Sequence, residues 1–384
     1  MNPLRIAFFG SSLVSAYWNG AATYYRGIIR ALALKGHRIT FFEPDIYDRQ
    51  AHRDIADPPW ARIVVYNGHD ERAVWNALEQ ACDADILVKA SGIGEFDSLL
   101  ERAVLQMKSR DTLAIFWDVD APATLERLAS DPKDAFRSLV PQYDCIFTYG
   151  GGAQVGDAYR RFGARHCEIV YNALDAETHF PVPPQEQFAA DLSLLANRLP
   201  DREARVAEFF FHPAEKLPHA AFLLGGNGWS GRHLPRNVKY LGHVYTMQHN
   251  AFNCTPRAVL NVNRESMVRF GFSPPTRLFE AAGSAACIIT DAWQGIDVFL
   301  EPGREVLVAH NGDEVADLLS SLTSERSRAI GEAACRRIRS QHTYEHRAAQ
   351  IETLLTERFS SAKSLATSSS SASLSASKVN TCGS

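Results

Sequence analysis

Twice along this chain, short apolar β-rich runs alternate with amphipathic helical stretches, and between the two passages stands Phe180-Pro-Val-Pro-Pro184. In the first passage strands are expected at Leu4–Phe9, Arg38–Phe42, Arg62–Tyr66, Ile86–Lys89, Leu113–Trp117, Cys145–Thr148 and Glu168–Tyr171. A helix over Asn19–Lys35 is stopped by Gly36. The prolines after Phe180 fix φ and remove backbone donors, so that stretch is a connector. The rhythm then restarts, with strands at Leu192–Ala196, Ala221–Leu224, Val238–Leu241, Ala258–Val262, Ala286–Thr290 and Glu305–Ala309. Helices fall at Asp201–Phe210, Thr246–Asn253, Pro275–Ala282 and Asp313–Ser321. Strand–helix alternation of this kind implies parallel strands with helices on both faces. The fold class is therefore α/β, with two doubly wound Rossmann-like domains over residues 1–180 and 181–359. A last amphipathic helix over Tyr344–Phe359 is placed to pack back on the first domain. Ser360–Ser384 is rich in Ser, Ala and Thr, too poor in apolar side chains to pack, and reads as a disordered tail.

Composition narrows the partners. A length of 384 residues and a hydrophobic fraction of 46% sustain two ordinary cores. A net charge of −4 argues against nucleic acid or an anionic membrane as a bulk partner. No apolar run reaches the roughly 18 to 20 residues that cross a bilayer. Met1–Arg5 leads straight into a strand, without a signal-peptide layout. The seven cysteines are scattered, with no CxxC pair, which suits reduced thiols in the cytoplasm and no cysteine-based zinc site.

In open α/β sheets, ligands sit beyond the carboxyl ends of the strands, so the loops that follow strands carry the chemistry. Gly10, in Phe9-Gly10-Ser11-Ser12, and Gly20, in Asn19-Gly20 before the first helix, permit close backbone approach to an anion. A packing turn is the competing reading, as it is for Tyr149-Gly150-Gly151-Gly152. No GxGxxG follows any strand, which fits a nicotinamide dehydrogenase poorly. The run Phe270-Gly-Phe-Ser-Pro-Pro-Thr-Arg-Leu-Phe-Glu280 is the most informative. Ser273 is its expected N-cap, and prolines suit a first helical turn. The free N–H groups near Thr276, with the charge of Arg277, would hold a diphosphate. Glu280, one turn further in, would hold ribose hydroxyls. Arg198, after the first strand of the second domain, would face the same helix start and neutralise a leaving diphosphate. Gly226 ends the next strand, and His243 and Val244 follow the one after, with backbone groups suited to a nucleobase edge. In the first domain, Asp118 and Asp120 end a strand at the cleft. They would act as a general base or orient a sugar, against the reading of Asp120 as a cap for the helix at Pro122.

Three segments resemble those of known enzymes. Val170-Tyr-Asn172-Ala-Leu-Asp175 through Phe180-x-Pro resembles the "P-N-G-V-D…F-x-P" hinge of GT-B glycosyltransferases. Leu278-Phe-Glu280-Ala-Ala-Gly283 through Ile288-Ile-Thr-Asp291 resembles their "L-E-A-M-A-x-G-x-P-V-I-A" segment, and Glu301–Glu305 resembles a later loop. Over residues 4 to about 355 the chain resembles the spore-maturation CgeB-like glycosyltransferases, through Asn197–Arg205, Tyr240–Cys254 and Phe272–Glu280. The resemblance implies a GT-B fold whose second domain binds a nucleotide-sugar donor and whose first domain binds the acceptor. UDP, GDP or dTDP would be the carrier, with no other cofactor and no metal. Glu280 then matches the ribose-binding glutamate, and Thr276 and Arg277 the diphosphate-binding helix start. Phe272 departs from the family's E-x7-E pattern, which leaves the donor sugar and the stereochemical course open. The expected activity is sugar transfer to a hydroxyl of a glycan, protein or small molecule. A non-catalytic GT-B-like binding protein of surface or spore layers, which Phe272 would suit, and a nucleotide-sugar epimerase are the other readings.

Overall fold

A computed structural model describes residues 2–17 and 19–359. Arg5–Phe9 (β1), Arg38–Asp45 (β2), Arg62–Asn67 (β3), Ile86–Ala90 (β4), Leu113–Asp118 (β5), Cys145–Thr148 (β6) and Cys167–Ile169 (β7) form one sheet, in the order β3-β2-β1-β4-β5-β6-β7. Leu192–Leu195 (β8), Phe222–Gly225 (β9), Val238–Gly242 (β10), Ala258–Asn261 (β11), Ile288–Asp291 (β12) and Leu307–Ala309 (β13) form the other, in the order β10-β9-β8-β11-β12-β13. The strand pairs are parallel, for example β1 with β4 and β8 with β11. Each sheet grows one way from its first strand and then the other, so each has a switch point, at β1/β4 and at β8/β11. That geometry opens a crevice at the carboxyl ends of those strands.

Parallel strands are apolar on both faces because helices cover both. Phe9 and Phe42 pack on one face of the first sheet, and Phe8 and Phe41 on the other. The register sets Phe8 beside Phe41 and Phe9 beside Phe42, with ring centroids 5.3 and 4.6 Å apart. The chain is helical over 344–359, and from that stretch Tyr344, Ala348, Ile351 and Leu355 enter the first domain's core beside Ile28 and Trp117. Gly27 is what lets that helix in, since a methyl there would come within 2.1 Å of the Tyr344 ring.

The two domains also meet at Phe272. Gly151 N–H donates to the Phe272 carbonyl at 2.8 Å. Phe272 takes a positive φ of 44°, and its ring lies against Gly152 and Gly295, where an added Cβ would approach to 2.7 and 2.3 Å. The glycine run 150–152 is thus a seat for Phe272.

Several elements differ from the sequence expectations. The 18-residue helix Ser324–Gln341 was not anticipated. Its surface is charged, and only a thin row including Ile330, Ala334 and Ile338 is buried, so its periodicity is faint. The expected helix Asp201–Phe210 is three joined pieces, Pro200–Val206, a π-helical Ala207–Phe211, and His212–Lys216. The helix near residue 275 runs Thr276–Gly283 with Pro275 at the cap, and no side chain caps it. Ser273 lies outside it, buried, with its hydroxyl donating to the Gly271 carbonyl at 2.9 Å. Two prolines after Ser273 hold the chain extended until Thr276, which moves the start of the helix. The tail 360–384 lies outside the described residues. Among the described residues no helix is long and apolar enough to cross a membrane.

Candidate active site

A cavity of about 450 Å³ opens between the domains at the carboxyl end of β1, β4 and β5. Ser11, Gly20, Asp97, Asp120 and Tyr149 line it from the first domain, and Arg264 and Thr276 from the second. Its first-domain floor is polar and charge-compensated. Lys89, fully buried on β4, meets Asp97 at 2.5 Å, and Arg127 meets Glu101 at 2.9 Å.

The two β5 aspartates have separate roles. Asp118 is fully buried, and its carboxylate accepts from the Asp120 N–H at 2.9 Å, the Thr124 hydroxyl at 3.1 Å and the Tyr159 hydroxyl. It is a packing group that braces the helix Ala121–Ser130, and burial raises its pKa. Asp120 stands at the N-cap position without a well-formed capping hydrogen bond, although the Ala123 N–H is near enough to its carboxylate to lower its pKa. It faces the cavity instead, 3.9 Å from Arg264 Nη1. Burial raises its pKa, Arg264 opposes that rise, and Asp118 adds to it.

Arg264 stands on the opposite wall, and Arg202, outside the lining, feels its charge and that of Arg277. Arg202, in the helix Pro200–Val206, has its pKa brought down to about 10, first by burial and then by the like charges of Arg264 and Arg277. Arg202 Nε and Arg277 Nη1 are buried without a hydrogen-bond partner among the described residues. Arg264 donates to Asp201 at 2.6 Å. Crowding like charges at the uncapped start of a helix is costly unless an anion shares them. Arg198 lies elsewhere, making a two-pronged surface pair with Glu203 at 2.9 and 2.8 Å. Arg198 is thus a surface arginine paired with a local acid and not the cleft group expected to neutralise a leaving diphosphate. Arg202, one helical turn further on, and Arg264, just after β11, carry no local signal and are brought in by the sheet.

The remaining candidates scatter. Gly20 lines the cavity with open space around it. Gly10 bonds to β2, its N–H donating to the Phe42 carbonyl at 3.1 Å, and a Cβ there would strike the Phe41 ring. Gly226 packs on the Ala196 carbonyl and donates to the Gly242 carbonyl at 2.7 Å. His243 is exposed, edge-on to Tyr245, while Val244 is buried. Glu280 is buried and is not among the residues that line the cavity; His179 Nε2 and Arg277 Nη1 are its neighbours, at 3.9 and 3.8 Å. Burial opposes ionisation of Glu280, but His179, Arg277 and His249 outweigh it and hold the carboxyl below its usual range.

Solved structures share this architecture across nearly the whole chain. Sucrose-phosphate synthase from Thermosynechococcus elongatus superposes with a TM-score of 0.67 at 14% identity, covering 93% of this chain and 100% of that one. HepE from Anabaena, solved with UDP and glucose, gives 0.66 at 12% identity, covering 92% and 100%. The T4 phage glucosyltransferase BGT, solved with UDP-glucose, gives 0.55 at 11%, covering 93% and 99%. The fold is GT-B. Residues 202–353 match the glycosyl transferase-like family model, a segment that holds Arg202, Arg264, Thr276 and Arg277. No curated protein matches the sequence. In this GT-B molecule the cavity is the interdomain cleft, and Arg264 and Asp120 stand on its two sides.

Proposed function

We propose that this chain is a nucleotide-sugar-dependent glycosyltransferase, akin to the CgeB-like enzymes and working in the cytoplasm. The observation that carries the reading is the facing pair of walls: Arg264 and the Thr276 helix start on one side, with Arg202 in electrostatic reach of Arg264 and Arg277, and Asp120 on the other. The donor's diphosphate lies against the arginines and the helix start. An acceptor hydroxyl enters from the first domain and attacks the anomeric carbon. Asp120, with its pKa raised, takes the hydroxyl proton as the bond from sugar to phosphate breaks. The leaving diphosphate gathers charge in that step, and guanidinium groups already in place stabilise it.

Two of the structural relatives, HepE and the T4 phage BGT, were solved with UDP or UDP-glucose, so UDP-sugars are the donors to assay first, with GDP- and dTDP-sugars beside them. Thermal shift with each carrier ranks the bases, since ligand at a hundredfold excess over Kd adds about 2.7 kcal/mol. Release of free nucleoside diphosphate that depends on an added acceptor supports transfer. Binding without turnover on any donor would leave a non-catalytic binding protein, the reading that Phe272 in the domain seam favours.

A further inference from the structure

Resting on the sugar-transfer reading above, we propose that the acceptor is a neutral glycan chain. Its terminal ring lies in the cleft beside Asp120, and the ring before it lies in a groove over the carboxyl ends of β2 and β3, against Tyr47.

The groove measures about 490 Å³, and Asp45, Tyr47, Asp48, Tyr66 and Asn67 are among the residues that line it. One turn of chain joins it to the cleft, since Tyr47 and Asp48 line the groove and Arg49 lines the cleft. The Arg49 guanidinium lies over the Tyr47 ring, 5.1 Å from its centroid, and donates to the carbonyl of Ser11, another cleft residue, at 3.2 Å. Tyr47 is thereby held at the rim of the cleft, yet it stays 60% exposed. Tyr47 and Asp48 both take a φ of 55°, which is costly for a bulky side chain. A turn alone would favour glycine there; this one carries an aromatic ring out to solvent. Strands stand about 4.8 Å apart, so β2 and β3 set the groove one and two strand widths out from β1, a step on the scale of a sugar ring.

The chemistry of both places suits hydroxyl groups. Asp45 and Asp48 are exposed, and among the described residues neither carboxylate enters an ion pair or a side-chain hydrogen bond. Each is free to accept from adjacent sugar hydroxyls. Tyr66 is 8% exposed, and its hydroxyl has no hydrogen-bond partner among the described residues. Tyr47 offers an aromatic face to the C–H face of a sugar ring. In the cleft, Lys89 and Arg127 already neutralise Asp97 and Glu101, so the remaining carboxylate oxygens serve as hydrogen-bond acceptors and not as a counter-charge for a cation. Unpaired carboxylates in the groove repel the phosphates of a nucleic acid. A lipid chain would meet Asp45, Asp48 and Asn67 where it needs an apolar wall.

The test measures binding of mono-, di- and trisaccharides of glucose, galactose and N-acetylglucosamine to the full-length chain, by calorimetry and saturation-transfer NMR, with and without UDP. We expect affinity to rise about three- to tenfold from monosaccharide to disaccharide. Tyr47→Ala abolishes that rise. Tyr47→Gly abolishes it too while Tm holds, because glycine suits the φ, which separates lost contact from lost packing. The double change Asp45→Asn with Asp48→Asn reduces the rise. Failure of every saccharide to bind, equal affinity at all lengths, or an unchanged rise in Tyr47→Ala overturns the groove as a glycan subsite. So does transfer to a DNA or lipid acceptor with which no saccharide competes. Should both Tyr47 variants misfold, the length series on the wild-type chain decides. Length-dependent binding without transfer from any donor would sink only the transferase reading. Transfer to monosaccharides that gains nothing from a longer acceptor would sink only the groove.

Discussion

At the residue scale, two neighbouring aspartates diverge because of what surrounds each. Asp118 spends its carboxylate on three internal donors, and Asp120, two positions on, is left to the cleft. Asp120→Asn should therefore leave Tm unchanged and lower turnover by about 100- to 10,000-fold, read from nucleotide release at saturating donor. Near-normal turnover would remove Asp120 from the mechanism. Arg202 is partly buried, its Nε unpartnered, and crowded by like charge. Arg202→Ala should weaken UDP binding by roughly tenfold or more, the equivalent of one charged hydrogen bond, while leaving uridine affinity alone; calorimetry with both ligands checks it. Arg198→Ala is the control. Its guanidinium is committed to Glu203 at the surface, and the same titration should show no change.

At the element scale, the start of the helix Thr276–Gly283 depends on the loop before it. Phe272 holds a strained positive φ, seated among Gly151, Gly152 and Gly295. A side chain at residue 152 would drive into the Phe272 ring and force a β-carbon onto a backbone whose φ is +54°. Gly152→Val should thus cost about 1 to 3 kcal/mol, lower Tm, and raise KM for donor by shifting Thr276 and Arg277. If Tm and KM both stay put, the seam does not position the donor helix. The strands of both sheets were legible in the sequence because fully buried parallel strands are short runs of Val, Ile, Leu and Phe between turn residues. The helix Ser324–Gln341 was not, since it buries only a narrow row. Nor was the cap at Pro275, since a Ser-Pro-Pro sequence permits two starting points and packing selects one.

At the scale of the whole molecule, the chain crosses between domains twice, near the hinge and again near His342. Leu174 N–H donates to the His342 carbonyl at 2.8 Å. His342 Nδ1 accepts from Arg347 at 2.9 Å, so the ring is neutral on that side. Burial, then Arg347 and Arg337, lowers its pKa to about 3. A group that is neutral when folded and titrates near 6.5 when unfolded contributes fully above about 6.5, and its contribution is lost as pH falls toward about 3. Wild-type Tm should drop over that window more steeply than that of His342→Gln, which cannot charge; parallel Tm curves would sink the assignment. The sequence by itself determined the two doubly wound domains, since strand–helix rhythm is local and writes itself into the residue order. It brought Asp120 to the end of a strand for the same reason. Only the tertiary structure decided that Asp118 is a brace, that Arg198 is spent on Glu203, and that Arg202 and Arg264 join Arg277. It alone set His179 and His249 around Glu280. Those partners are far apart in the chain, and which side chains face one another depends on sheet order and on how the domains close, neither of which leaves a periodic mark on the sequence.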